Sequence, residues 1–98
     1  MKYELSATGI FDEWFQKLDC TTQNKPLARF ARIENGNFGD YKIIKNNLFE
    51  LRCFFDGGIR IYYTIRDDRV VLLLSGGNKS SQTKDIEKAG IILEMLGD

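Results

Sequence analysis

LFELRCFF (Leu48–Phe55), DGG (Asp56–Gly58) and IRIYYTIR (Ile59–Arg66) follow one another without a break, and their reading decides the fold. Successive side chains of a strand point to opposite faces, so the residues separate by parity. Phe49, Leu51, Cys53 and Phe55 form one set and Leu48, Glu50, Arg52 and Phe54 the other. On the second strand, Ile59, Ile61, Tyr63 and Ile65 oppose Arg60, Tyr62, Thr64 and Arg66. The odd positions are the apolar ones and read as the core face. Paired residues share a face, so the connection must hold an odd number of residues, and Asp56-Gly57-Gly58 supplies three. That register sets Arg60 opposite Phe54, Arg52 opposite Tyr62, and Glu50 opposite Thr64.

The same period of two extends outward on both sides. Runs at 41–45 and 70–75, set off by Asn46-Asn47 and by Asp67-Asp68-Arg69, complete an antiparallel meander. Upstream, MKYELSAT reads as a short first strand. Phe11, Trp14, Phe15 and Leu18 then fall at i, i+3, i+4 and i+7, one apolar stripe on a helix and far more often core than a ligand site. Thr21 or Thr22 can cap a second helix with Leu27, Phe30 and Ala31 on one face and Gly36 as its stop. From Ser81 onward, Ile86, Ala89, Leu93 and Leu96 line one side of a final helix that packs on the sheet. The expectation is a single α+β domain over residues 1–98: an N-terminal helical hairpin, an antiparallel sheet of about four to five strands and a C-terminal helix, in one layer of strands and one of helices.

SGGNKSSQTKDI (Ser75–Ile86) leaves the most apolar run of the chain through two glycines. It is not a nucleotide-binding G-x-x-x-x-G-K-[ST] loop. Asn78 breaks the Gly-Lys pair, and Leu73 stands where the first glycine belongs. The plain alternative is that Gly76 and Gly77 permit a sharp exit from the sheet, with Ser80 or Ser81 as helix N-cap.

Composition bounds the function. The 98 residues are 43% hydrophobic, enough for one real core. No run approaches a membrane span, and MKYELSATGIFDEW has no signal-peptide apolar stretch, which points to a soluble cytoplasmic protein. Cys20 and Cys53 sit in no metal-type spacing and read as reduced thiols. Formal net charge is zero, yet residues 41–79 hold seven Lys/Arg against four Asp/Glu, so a local positive field is available. There is no histidine, which removes a Ser-His-Asp triad and histidine metal sites, and no acidic cluster of the two-metal nuclease type.

What chemistry remains is on the even face of the hairpin. Glu50, Arg52, Arg60 and Tyr62 share it, the strand at 70–75 delivers Lys79 to its rim, and Lys42 approaches from the preceding strand. A basic cleft is one reading; a solvated sheet face with ordinary cross-strand pairs is the other.

FDEWFQKL, ARIENGNFGDYK, ELR, GIRIYY and LLLSGGNKSSQTKDIEKA stand in the order and approximate spacing of the RelE/ParE toxin superfamily, and the chain resembles its HigB-like addiction-module-killer branch over nearly its whole length. The resemblance implies the toxin of a type II toxin–antitoxin module. It implies a cognate antitoxin, a small helix-turn-helix protein, with the pair able to form higher-order complexes. In RelE-like members it also implies cleavage of mRNA on the ribosome. Such cleavage needs neither metal nor cofactor, because the RNA 2′-hydroxyl attacks the adjacent phosphate while the protein orients, stabilises charge and moves protons.

By the same resemblance, Arg60 in GIRIYY matches the arginine that contacts the scissile phosphate, Arg52 falls at a basic position on the neighbouring strand, and Lys79 occupies the proton-transfer or charge-stabilising position after the last strand. Lys42, Arg52 and Lys79 would hold RNA. Glu50 or Tyr62 would serve as general base; a tyrosine needs nearby cations to bring it down from a pKa of about 10. Gln82 and Asp85 match the family's K-x-x-Q-x-x-D-I run and read as structural supports of the Lys79 loop. Ile59 departs from the aromatic that many relatives carry there, and DGG from a common Gly-Pro-Gly. The other functional class the resemblance allows is a ParE-like, non-catalytic inhibitor of DNA gyrase, or a domain that only binds its antitoxin.

Overall fold

The computed structural model of the chain describes residues 2–53 and 58–97. The expectations for Phe54, Phe55, Asp56 and Gly57 lie outside these residues. The elements run β1 (Glu4–Ala7), α1 (Gly9–Gln16), α2 (Cys20–Glu34), β2 (Tyr41–Lys45), β3 (Leu48–Cys53), β4 (Ile59–Arg66), β5 (Val70–Gly77), a 3₁₀ turn (Lys79–Ser81) and α3 (Gln82–Met95). The strands form one sheet in the order β1-β5-β4-β3-β2. The β2-β3-β4-β5 meander is antiparallel, as its alternation requires. β1 joins β5 in parallel, so the sheet is mixed.

Local chemistry sets the helix ends. Thr8 caps α1 by accepting from the Phe11 amide at 3.0 Å. α2 is capped by Asp19 instead of Thr21 or Thr22: its Oδ1 accepts from the Thr22 amide at 2.7 Å, and these bonds to Thr22 hold the Asp19 carboxyl below its ordinary range. Gly36, at φ +89°, donates to the Ile33 carbonyl at 2.8 Å and ends the helix as expected. The buried face of α2 is Thr22, Pro26, Phe30 and Ile33. Leu27 and Ala31 face away, because the stripe runs Pro26, Phe30, Ile33 at i, i+4 and i+7.

Helices cover both faces of the sheet, so the domain has three layers and not two. Leu51, Cys53, Ile59, Ile61, Tyr63, Val71 and Leu73 pack with Phe11, Phe30 and Ile33 from the helical hairpin. Leu48, Tyr62 and Leu74 pack with Ala89, Ile92 and Leu93 of α3 on the opposite face. Each such side chain taken fully out of water contributes about 1.5–3 kcal/mol. Along α3, Ala89 and Leu93 are buried as the spacing predicts; Leu96 is 39% exposed and Ile92 takes its place. β5 carries one extra residue opposite β4. Tyr63 pairs with Leu73 and Tyr62 with Ser75, so Leu74 bulges and turns toward α3. Among the described residues, no helix is long and apolar enough to cross a membrane.

Candidate active site

The odd and even sets of the hairpin take opposite faces as the alternation requires, but the even face is also buried, under α3, and the register differs by two residues. Arg52 stands opposite Arg60, Glu50 opposite Tyr62 and Cys53 opposite Ile59. The pairings of Arg60 with Phe54, Arg52 with Tyr62 and Glu50 with Thr64 are therefore corrected. Parity alone permits either register, because a shift of two leaves every side chain on its face.

The observed register lays two rows across the α3 face. One runs Lys42, Glu50, Tyr62, Ser75 through β2, β3, β4 and β5. The other runs Arg52, Arg60, Gly77, with Asp40 at its outer end, where the Arg52 amide donates to the Asp40 carbonyl at 3.0 Å. Two guanidiniums directly opposite one another repel. Asp40 offsets this by an ion pair of 3.2 Å to Arg52 Nη2. Arg60 is only 8% exposed; its Nη1 donates to the Gly58 carbonyl at 2.6 Å, while its Nε is buried without a partner among the described residues.

Lys79 reaches the same place from the 3₁₀ turn. Gly58 has φ +80°, and a Cβ built on it would stand 2.7 Å from Arg60 Nη1 and 3.7 Å from the Lys79 Cβ. Glycine is required here both by the left-handed backbone and by the guanidinium lying against it. Arg52 and Arg60 thus lie side by side near one end of the β3–β4 pair with the stem of Lys79 beside Gly58; Lys79 is exposed, and Lys42 is exposed one row away.

The two glycines of SGGNK have a different role from the expected sharp exit. β5 continues through Gly77, and each glycine admits a neighbour on one face of the sheet. The indole of Trp14 lies against Gly76, and the Asp85 carboxylate with Ser81 against Gly77. Ser81 stands at the N-cap position of α3 as expected, without a side-chain capping bond, and Asn78 caps the 3₁₀ turn before it: its side chain accepts from the Ser81 amide and its own amide donates to Ser81 Oγ, a reciprocal capping box. Ser81 donates to Asp85.

Beneath this turn lie Glu50 and Tyr62, both with no exposed surface. Glu50 Oε2 accepts from Gln82 Nε2 of α3 at 2.8 Å. The Tyr62 phenol is pushed well above its ordinary range, first by burial, then by the adjacent Glu50 carboxylate and by Asp85, against a smaller opposing effect of Arg60. Ser75 Oγ and Thr64 Oγ1 are also buried without partners among the described residues. No group of three or more His, Cys, Asp or Glu gathers as metal ligands would among those residues.

The sequence puts Glu50, Arg52, Arg60 and Tyr62 on one face with Lys79 at its rim and Lys42 on the preceding strand; the structure has the first four in adjacent rows, Lys42 paired with Glu50, and the stem of Lys79 beside Gly58. Sequence reasoning missed Asp40 as the partner of Arg52 and Gln82 as the partner of Glu50. Neither has a local signal: each contact depends on the register and on where α3 crosses the sheet.

Residues 13–95 match the family described as Phage derived protein Gp49-like. An uncharacterized protein of Haemophilus influenzae is 39% identical over 98 residues, spanning 99% of each chain. In fold, the chain is similar to the E. coli toxin RelE in its free state, carrying two arginine-to-alanine substitutions, with TM-score 0.69 and 17% identity over 87% of this chain and 93% of that one. It is similar also to a chain of the intact E. coli RelBE toxin–antitoxin complex, with TM-score 0.66 and 19% identity over 78% and 95%. A chain of the RelBE2 toxin–antitoxin complex from Mycobacterium tuberculosis gives 0.62 and 19% over 81% and 100%. At these identities the likeness carries the α+β fold with its mixed five-stranded sheet and C-terminal helix.

Proposed function

The chain belongs to the phage-derived Gp49-like family, and from that premise we propose that it is the toxin of a type II toxin–antitoxin pair, of the HigB-like kind, acting as a metal-independent endonuclease on ribosome-bound mRNA. The observation that carries this reading is the pairing of Arg52 with Arg60 across β3 and β4, together with the approach of Arg60 and the stem of Lys79 to Gly58. Holding two arginines opposite one another costs stability, and a bound phosphate is what such a pair is suited to receive.

In this reading the RNA 2′-hydroxyl attacks the adjacent phosphorus as the bond to the 5′-oxygen breaks. Arg60 and Arg52 stabilise the charge on the phosphorane oxygens, and Lys79 supplies the proton to the departing oxygen. Lys42, exposed on β2, holds the flanking backbone. Glu50 is the proton acceptor, since burial and neighbouring carboxylates drive Tyr62 away from ionisation. Gln82 holds Oε2 of Glu50, leaving its buried Oε1 without a partner among the described residues to take the proton. Tyr62 remains a neutral phenol in the floor of the site. The partner that silences it is a small antitoxin, and the working compartment is the cytoplasm.

A second reading has support in the formal net charge of zero and in the pairing of Arg52 with Asp40, both of which suit a protein target such as DNA gyrase, bound without catalysis, or an antitoxin-binding domain without activity of its own. Expression of the chain with and without its antitoxin, followed by mapping of RNA ends, separates the two. Growth arrest with new transcript ends supports the nuclease. Arrest with intact transcripts and inhibited gyrase replaces it.

A further inference from the structure

The Asp40–Arg52 pair is built into the fold more firmly than a surface ion pair need be. Besides the 3.2 Å contact between side chains, the two residues share a backbone hydrogen bond of 3.0 Å. Arg29 of α2 clasps β3 and the segment leading into β2: Nη1 donates to the Arg52 carbonyl at 2.8 Å, and Nη2 to the carbonyls of Phe38 and Asp40, each at 3.1 Å. Gly39, at φ +65°, leaves room for that clasp, since a Cβ there would lie 3.0 Å from Arg29 Nη2. The side chains of Arg52 and Asp40 remain 36% and 37% exposed, so a polyanion can reach the pair from solvent.

Resting on the reading above, in which Arg52 and Arg60 receive an RNA phosphate, we infer that Asp40 is a positioning residue that occupies Arg52 in the free protein and must be displaced by the incoming phosphate. The guanidinium presents a fixed donor fork, and the carboxylate and a phosphate oxygen compete for it. The same carboxylate offsets the repulsion between Arg52 and Arg60. It therefore raises stability while lowering affinity for RNA. An aspartate with a purely structural role would lose both together on substitution; this one separates them.

The test uses the whole chain and a short single-stranded RNA with methylated 2′-hydroxyls, which binds without being cut. Binding and thermal melting are measured for wild type, Asp40→Asn, Arg52→Ala, the double variant and Arg60→Ala. Asp40→Asn should melt lower yet bind about two- to fivefold tighter, the scale of one exposed ion pair. In the Arg52→Ala background the substitution should leave affinity unchanged, because its effect passes through that guanidinium. Binding by Asp40→Asn equal to or weaker than wild type overturns the inference, as does a gain that persists undiminished without Arg52. If Arg60→Ala weakens binding while Asp40→Asn changes nothing, the role of Asp40 alone fails. If Arg60→Ala binds as tightly as wild type, the RNA reading of the site fails with it.

Discussion

On the face of the sheet that meets α1 and α2, the buried residues are Leu51, Cys53, Ile59, Ile61, Tyr63, Val71 and Leu73, packed on Phe11, Phe30 and Ile33. On the face that meets α3, Leu48, Tyr62 and Leu74 share the interior with Glu50, Arg60, Thr64 and Ser75. One face is apolar and closely filled; the other encloses an acid, a guanidinium and hydroxyls, some without partners among the described residues. Burial of unpaired polar groups is costly, so the second face holds its residues at the expense of stability while the first supplies it. The difference separates what makes the chain fold from what would let it act.

That separation breaks most directly at Leu51 and Arg52, neighbours on opposite faces. Leu51→Asp places a carboxylate in the filled interior and should destabilise by several kcal/mol, leaving little folded protein in a thermal melt. Arg52→Ala loses a half-exposed ion pair and should cost about 1 kcal/mol or less. Similar losses from both would abolish the distinction between the faces.

Gly76 sharpens it, since it lies where β5 meets the indole of Trp14. Gly76→Ala pushes a methyl into that ring and should cost about 1–3 kcal/mol, with a change in tryptophan emission. A melt equal to wild type would show that the indole is not seated there. The smallest effects belong to the thiols. Cys53 is buried, its thiol raised chiefly by that burial, and Cys20 is exposed; both are free. Cys53→Ala should be mildly destabilising, Cys20→Ala silent, and freshly isolated, alkylated protein should carry two modified thiols by mass. A disulfide in that measurement would overturn the assignment.

Parity explains how far the sequence could be read. A period of two survives any shift of two residues, so the faces of β3 and β4 were legible while the pairing of Arg52 with Arg60 was not. The faces of α2 were harder, because Leu27-x-x-Phe30-Ala31 and Pro26-x-x-x-Phe30-x-x-Ile33 overlap at Phe30, and only packing against the sheet chooses the second. The charges of the even face left a basic cleft and a solvated face both open, and no local pattern in the strands shows that α3 takes this face. The same holds for Asn78, whose capping role depends on the strand running two residues further than its apolar stretch. Of the site, the residue types and their shared face were legible. The contacts of Arg52 with Asp40 and of Glu50 with Gln82 arise from segments distant in sequence and appear only in three dimensions, whereas Asp85 supports the Lys79 turn through Ser81, as its place in the first helical turn suggested.

The central claim is that the α3 face carries phosphate chemistry centred on Arg60. Its most direct test is the single-turnover cleavage rate of ribosome-bound mRNA by wild type and Arg60→Ala, each shown to be folded by melting. Arg60→Ala removes one preorganised positive donor and also relieves the repulsion with Arg52, so the rate should fall by about 10²–10³ while the fold persists. A folded Arg60→Ala protein that cuts RNA at the wild-type rate, or a wild-type chain that cuts none, would contradict it.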